Sequence, residues 1–172
     1  DARLVLAARQ DWLKKVGIAK LPTTIDELYA VAKAFTFNDP DGNGKADTYG
    51  LGGAGLHPNP MFWQFQTIMG AYGVHPQKWI VEDGQVVYGA VANGYKEFLK
   101  TIAKWYKDGV LDPEFVTDQN ATYGNKIGAG RLGLYDGHPT YFDLNNKALP
   151  PSIVNQKDPN ALFVFLEPPK GP

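Results

Sequence analysis

The 172-residue sequence predicts a single α/β layered domain. Three observations carry that reading. Short apolar runs, LVLAA at 4–8 and ALFVFLEP at 161–168, have the length and composition of buried strands. Between them lie two strongly periodic helical stretches. A β-hairpin signal, KWIVEDGQVVYG at 78–89, turns on Asp83-Gly84.

The elements follow in order. After the first strand, RQDWLKKVG reads as a short helix stopped by Gly17. LPTTIDELYAVAKAF is a helix whose Thr24 and Glu27 have capping-box spacing, with acids in its first turn and Leu28, Val31, Ala32 and Phe35 on one face. An acidic loop at 37–50, FNDPDGNGKADTYG, comes next. PMFWQFQTIMGAYG (60–73) reads as an aromatic helix with Pro60 in its first turn. After the hairpin, ANGYKEFLKTIAKWYKDG (92–109) is a helix with an apolar stripe of Tyr95, Phe98, Leu99, Ile102, Trp105 and Tyr106, and Tyr95, Trp105 and Tyr106 are assigned to the core. VLDPEF is a turn, 118–128 a shorter helix, RLGLY a strand and HPTYFDLNN a short helix or turn. The Pro/Asn-rich stretch at 149–160 reads as loop before the closing strand.

Composition excludes several function classes. A net charge of −1 gives no basic field for nucleic acid or an anionic membrane surface. The absence of cysteine rules out disulfides and thiolate metal sites. At 44% hydrophobic and 20% charged the chain is an ordinary globular one, and no apolar run approaches a membrane span. Aromatics at 13% exceed what such a core requires, so some should line a groove. Catalytic patterns are thin. Histidines 57, 75 and 138 are scattered, no phosphate loop or nucleophile elbow is present, and the sole serine, Ser152, lies among prolines. A non-enzymatic binder is expected. A polysaccharide-acting enzyme fragment, or a structural calcium-binding cell-surface module, is the alternative.

In the acidic loop Asp39, Asp41 and Asn43 hold positions one, three and five of a calcium loop. Gly44 is the turn residue, Lys45 offers its carbonyl, and Asp47 stands at nine. Calcium takes oxygen ligands in this alternating pattern. Position twelve, a bidentate Glu in a sensor loop, is Gly50, and TYGLGGAG beyond it does not continue as a helix. The expectation is therefore a structural calcium clip and not a switch.

RQDWLKKVGIAKLPTTIDELYAVAKAFTFNDPDGNGKADTYGL resembles the family-1 extracellular solute-binding proteins of bacterial ABC importers, closest to the lipoprotein and alginate-binding-protein branch. The likeness continues through WIVEDGQVVYG, GYKEFLKTIAKWYKDGVLDPEF and GAGRLGLYDGHPTYF, so it spans nearly the whole chain. It implies a periplasmic-binding-protein-like type II, or venus-flytrap, fold of two lobes. Residues 1–172 would form a single lobe of C-terminal type, cut between the two hinge crossings.

The resemblance also implies a ligand, carbohydrate or another small solute such as a peptide, passed to a membrane permease. The full-length parent would be extracellular, lipid-anchored through a missing N-terminal segment or periplasmic, and the fragment monomeric. Mapped position by position, the family's calcium ligands fall on Asp39, Asp41, Asn43, Lys45 and Asp47, with Thr48 where some relatives carry an acid. Its cleft residues fall on Met61, Phe62 and Trp63, and on Tyr135, Asp136, His138 and Tyr141. Aromatic faces there would stack on the C–H faces of a sugar.

Overall fold

The computed structural model describes residues 4–56 and 62–172. Its centre is a four-stranded sheet. The strands are β1 (Val5–Arg9), β2 (Tyr49–Leu51), β5 (Leu132–Gly137) and β6 (Phe163–Phe165), in the order β2-β5-β1-β6. β2 runs parallel to β5, while β1 is antiparallel to both its neighbours. The register sets Val5 opposite Gly137 and Ala7 opposite both Tyr135 and Phe165. The carboxyl ends of β2, β5 and β6 therefore share one edge of the sheet with the start of β1. A separate hairpin, β3 (Trp79–Glu82) and β4 (Gln85–Tyr88), turns through Asp83 and Gly84, both at positive φ (52° and 74°) as a two-residue turn of this kind demands.

Helix α1 (Gln10–Lys15) is short, and α2 (Ile25–Phe37) begins where the capping pattern predicts. Thr24 Oγ1 accepts the Glu27 N–H at 3.2 Å. Glu27 does not return the bond to Thr24: its carboxylate accepts from the Thr23 N–H (2.7 Å) and hydroxyl (2.8 Å). α2 lies against β2 so closely that a Cβ on Gly50 would overlap the Ala32 backbone. α4 (Asn93–Lys107) adds the second helical face. Around these elements Trp12, Phe35, Phe98 and Trp105 are fully buried, with Trp12 edge-on to Phe35 at 5.4 Å. Each such side chain contributes roughly 2–3 kcal/mol relative to exposure. A smaller cluster, Ala54, Tyr123, Ile127, Leu132 and Tyr135, packs beneath α5 (Asn120–Gly128).

Three expectations need correction. The stretch 149–160 is not all loop, because α6 (Pro150–Lys157) occupies most of it. Its two prolines sit at the helix start, where no intrahelical N–H is required, and Pro151 and Val154 are buried. The aromatic stretch at 60–73 is not one helix. Its described part is a 3-10 turn at Trp63–Phe65 followed by α3 (Gln66–Gly70); Pro60 lies outside the described residues. On α4, Trp105 is core and Tyr95 is partly buried, stacked on Phe98, but Tyr106 is 44% exposed. Its ring only edges Phe115, and its hydroxyl reaches out to the Pro113 carbonyl at 3.4 Å.

Candidate functional site

The topology leaves a cavity of about 490 Å³ at the carboxyl end of β5, beside the residues that follow β2 and the residue before β1. In open α/β sheets this edge is where ligands bind. Five separate stretches of chain wall it, the first being Leu4 just before β1. Trp63 and Gln64 come from the 3-10 turn, Asn120, Tyr123 and Gly124 from α5, Tyr135 through Tyr141 from β5 and the turn after it, and Leu149-Pro150 from the start of α6.

Each wall is held from behind. Phe62, at φ 70°, faces the core with ring contacts to Phe65 (5.8 Å), Phe98 (5.7 Å) and Phe115 (6.2 Å). That anchoring leaves Trp63, the next residue, half-buried on the cavity side. Gln64 is buried: its Oε1 accepts the Ala54 N–H (3.3 Å) and its Nε2 donates to Asn120 Oδ1 (3.1 Å). After β5, His138 caps the 3-10 turn Pro139–Phe142 by accepting the Thr140 N–H at Nδ1, 3.3 Å away. Phe142 packs on Tyr135, Phe163 and Phe165 within 5.6 Å, so the turn is fixed while Tyr141 stands 47% exposed.

Asp136 forms the floor and is 1% exposed. Its carboxyl accepts from the Thr67 N–H (2.9 Å) and hydroxyl (3.0 Å). Burial pushes it up to about 8, against the opposing pull of those two hydrogen bonds. Burial likewise raises the phenols of Tyr135 and Tyr123. The Tyr123 hydroxyl is buried, with the Asp136 main chain as its polar neighbour among the described residues.

Of the residues assigned to the cleft, Trp63, Tyr135, Asp136, His138 and Tyr141 all line this one cavity. Phe62 does not; it belongs to the core cluster. Met61, like His57, lies outside the described residues. Asn120 and Tyr123 were not anticipated, since α5 carries no local ligand pattern and reaches the cavity only through the packing of the sheet; Gln64, in the 3-10 turn, was not anticipated either.

The acidic loop lies at the other end of β2. Asp39 accepts the Asn43 N–H (3.0 Å) and the Gly44 N–H (3.1 Å), and Asn43 Nδ2 donates to Asp41 (2.7 Å) and Asp47 (3.2 Å). Asp41 is pushed up, by burial first and also by the neighbouring Asp47 and Asp39 carboxylates, whereas backbone N–H groups hold Asp39 down. Among the described residues no group of three or more His, Cys, Asp or Glu stands ready-made for a metal. The loop's carboxylates converge on Asn43. The loop's exit is rigid. Thr48 donates to the Phe35 carbonyl (2.9 Å), and Thr36 accepts the Gly50 N–H (2.9 Å). Thr48 is thus committed to the helix, and position twelve is a glycine because β2 there abuts α2.

The sheet, its flanking helices and the edge cavity define one lobe of a periplasmic-binding-protein-like fold. The chain belongs to the bacterial extracellular solute-binding protein family, which matches residues 1–172. It is 30% identical over 172 residues to lipoprotein LipO of Bacillus subtilis, a match covering 98% of this chain and 33% of LipO. It is 32% identical over 137 residues to the polygalacturonan/rhamnogalacturonan-binding protein YtcQ of the same organism, covering 80% of this chain and 26% of YtcQ. Among solved structures, the ABC-transporter substrate-binding protein FusA of Streptococcus pneumoniae, in complex with kestose, superposes with a TM-score of 0.76 at 25% identity, covering 98% of this chain and 32% of FusA. The chain thus spans about a third or less of each of these relatives. The family is one of binding proteins rather than enzymes, in line with the expectation from sequence.

Proposed function

We propose that this chain is one lobe of an oligosaccharide-binding protein serving a bacterial ABC importer, and that its edge cavity is half of the ligand cleft. The observation that carries the reading is the convergence of Trp63, Tyr135, Asp136, His138 and Tyr141 on one cavity. Aromatic faces there suit the apolar faces of sugar rings, and the amides, phenols and carboxyl suit their hydroxyls. The sugar-binding relatives support it, as does the placement of β1 and β6. These strands, near the two ends of the chain, are neighbours in one sheet, with the Leu166 N–H bonded to the Leu6 carbonyl at 2.9 Å. Such an arrangement suits a lobe set between two hinge crossings, and closure of two lobes would trap the ligand for a permease. An extracellular, lipid-anchored parent fits the lipoprotein relative.

The acidic loop fits a structural calcium ion, which would be held by Asp39, Asp41, Asn43 and Asp47 side chains and the Lys45 carbonyl. Bound there, the ion would offset two of the three carboxylate charges and lock the junction of α2 and β2.

Calorimetry of the two-lobed parent against a glycan panel tests the central claim. Micromolar or tighter binding of an oligosaccharide, weakened by Trp63→Ala, is the expected result. Binding of peptides and no glycan would overturn it.

A further inference from the structure

We propose that the ligand of this cavity is an uncharged oligosaccharide and not a polyuronate. The inference rests on the carbohydrate reading above and sharpens it. The relatives alone leave the choice open, because polygalacturonan and kestose stand among their ligands. The chemistry of this wall favours one side.

An anionic sugar ring entering a desolvated site needs a cation or a converging set of N–H donors to replace its lost water. The floor here offers the opposite, a carboxyl group on Asp136 that is 1% exposed. A uronate beside it would place two acids in one poorly solvated space, which disfavours ionisation of both. Among the described residues that line the cavity, none is lysine or arginine.

Two buried cations outside the wall are already spent. Lys126, on α5 itself, is held by Asp112 (2.6 Å), Asp118 (2.5 Å) and Glu114 (2.9 Å), more negative charge than it can neutralise. Arg9, at the end of β1, is paired with Asp11 at 2.6 Å. His138, the one histidine among the described residues of the wall, engages Thr140 Oγ1 through Nδ1 at 2.8 Å.

What remains suits hydroxyl groups, which both donate and accept. The Gln64–Asn120 amide pair and the Thr140 hydroxyl border a space flanked by Trp63 and Tyr141. Neutral partners of this kind bind a polyol without requiring a buried net charge.

The test is calorimetric titration of the full-length protein near neutral pH with kestose and maltotriose on one side, and trigalacturonate and trimannuronate on the other, each repeated on the Trp63→Ala variant. A neutral trisaccharide binding at least about tenfold tighter than either acidic one, and weakened by Trp63→Ala, is expected. An acidic trisaccharide binding as tightly or more tightly, and also weakened by Trp63→Ala, overturns the inference while leaving the carbohydrate cleft intact. Binding of any sugar that is insensitive to Trp63→Ala, or no binding of any of the four, overturns both.

Discussion

The acidic loop and the aromatic cavity lie at opposite ends of β2, and they are built in opposite ways. The loop draws its candidate ligands from consecutive sequence, Asp39 to Asp47, with hydrogen bonds that stay almost entirely inside that stretch. The cavity draws on residues near 4, 63, 120, 136 and 150, brought together by the sheet order and by two helices. A local site can be read from spacing, because a tight loop fixes the distance between its own side chains. An assembled site cannot, since its distances are set by the packing of everything behind it.

The largest expected effect tests whether the loop is subordinate to the fold. Gly50→Ala should cost about 3 kcal/mol of stability by denaturant unfolding, since the new Cβ meets the Ala32 backbone. A change within about 0.5 kcal/mol would mean that β2 and α2 are not in such close approach. Next comes the ion. Calcium at about a hundred times its dissociation constant should stabilise the chain by about 2.7 kcal/mol. A chelator should remove that increment, and Asp39→Ala should abolish it. Melting curves indifferent to both calcium and chelator would leave the loop a plain turn.

Neighbouring residues in the cavity wall give a sharper contrast. Trp63→Ala should weaken sugar binding by about 2 kcal/mol, roughly thirtyfold, with little change in melting. Phe62→Ala should do the reverse, losing about 2 kcal/mol of stability because its ring packs on Phe65, Phe98 and Phe115. If both variants lose binding and neither loses stability, the division between wall and core is misplaced.

A last contrast, read from pH dependence, concerns Asp136. Burial raises its carboxyl to about 8 in the folded chain. At acid pH both folded and unfolded chains carry the proton, and the group costs nothing. As pH rises above the ordinary carboxylate range, the unfolded chain releases a proton that the folded chain keeps, so stability falls until about pH 8. Asp136→Asn, which can keep both Thr67 bonds, removes that dependence. Its stability advantage over the native chain should grow by about 1.4 kcal/mol per pH unit from roughly pH 5 upward. An advantage independent of pH would show that Asp136 is ionised in the folded protein.

Much of the scaffold was legible because its signals are local. Thr24 and the acids behind it start α2, Asp83-Gly84 turns the hairpin, and the stripe through Phe98, Ile102 and Trp105 marks α4. The errors came where a local signal had two meanings. Pro150-Pro151 read as a breaker but opens α6, since proline is forbidden in a helix interior and tolerated at its start. Tyr106 continues the α4 stripe in sequence, yet the neighbouring elements stop short of covering it. Phe62 and Trp63 look alike in sequence, and only the core's demand for one ring turned them to different tasks.

By itself, then, the sequence determined the layered α/β class, the helix starts, the hairpin turn and a loop of alternating oxygen ligands. Each of these depends on spacing along the chain. The tertiary structure alone decided that β1 and β6 lie side by side, that α5 supplies Gln64's partner Asn120, and that Asp136 is buried against Thr67 beside the cavity. Those depend on which surfaces meet, and desolvation by distant residues is what sets their chemistry.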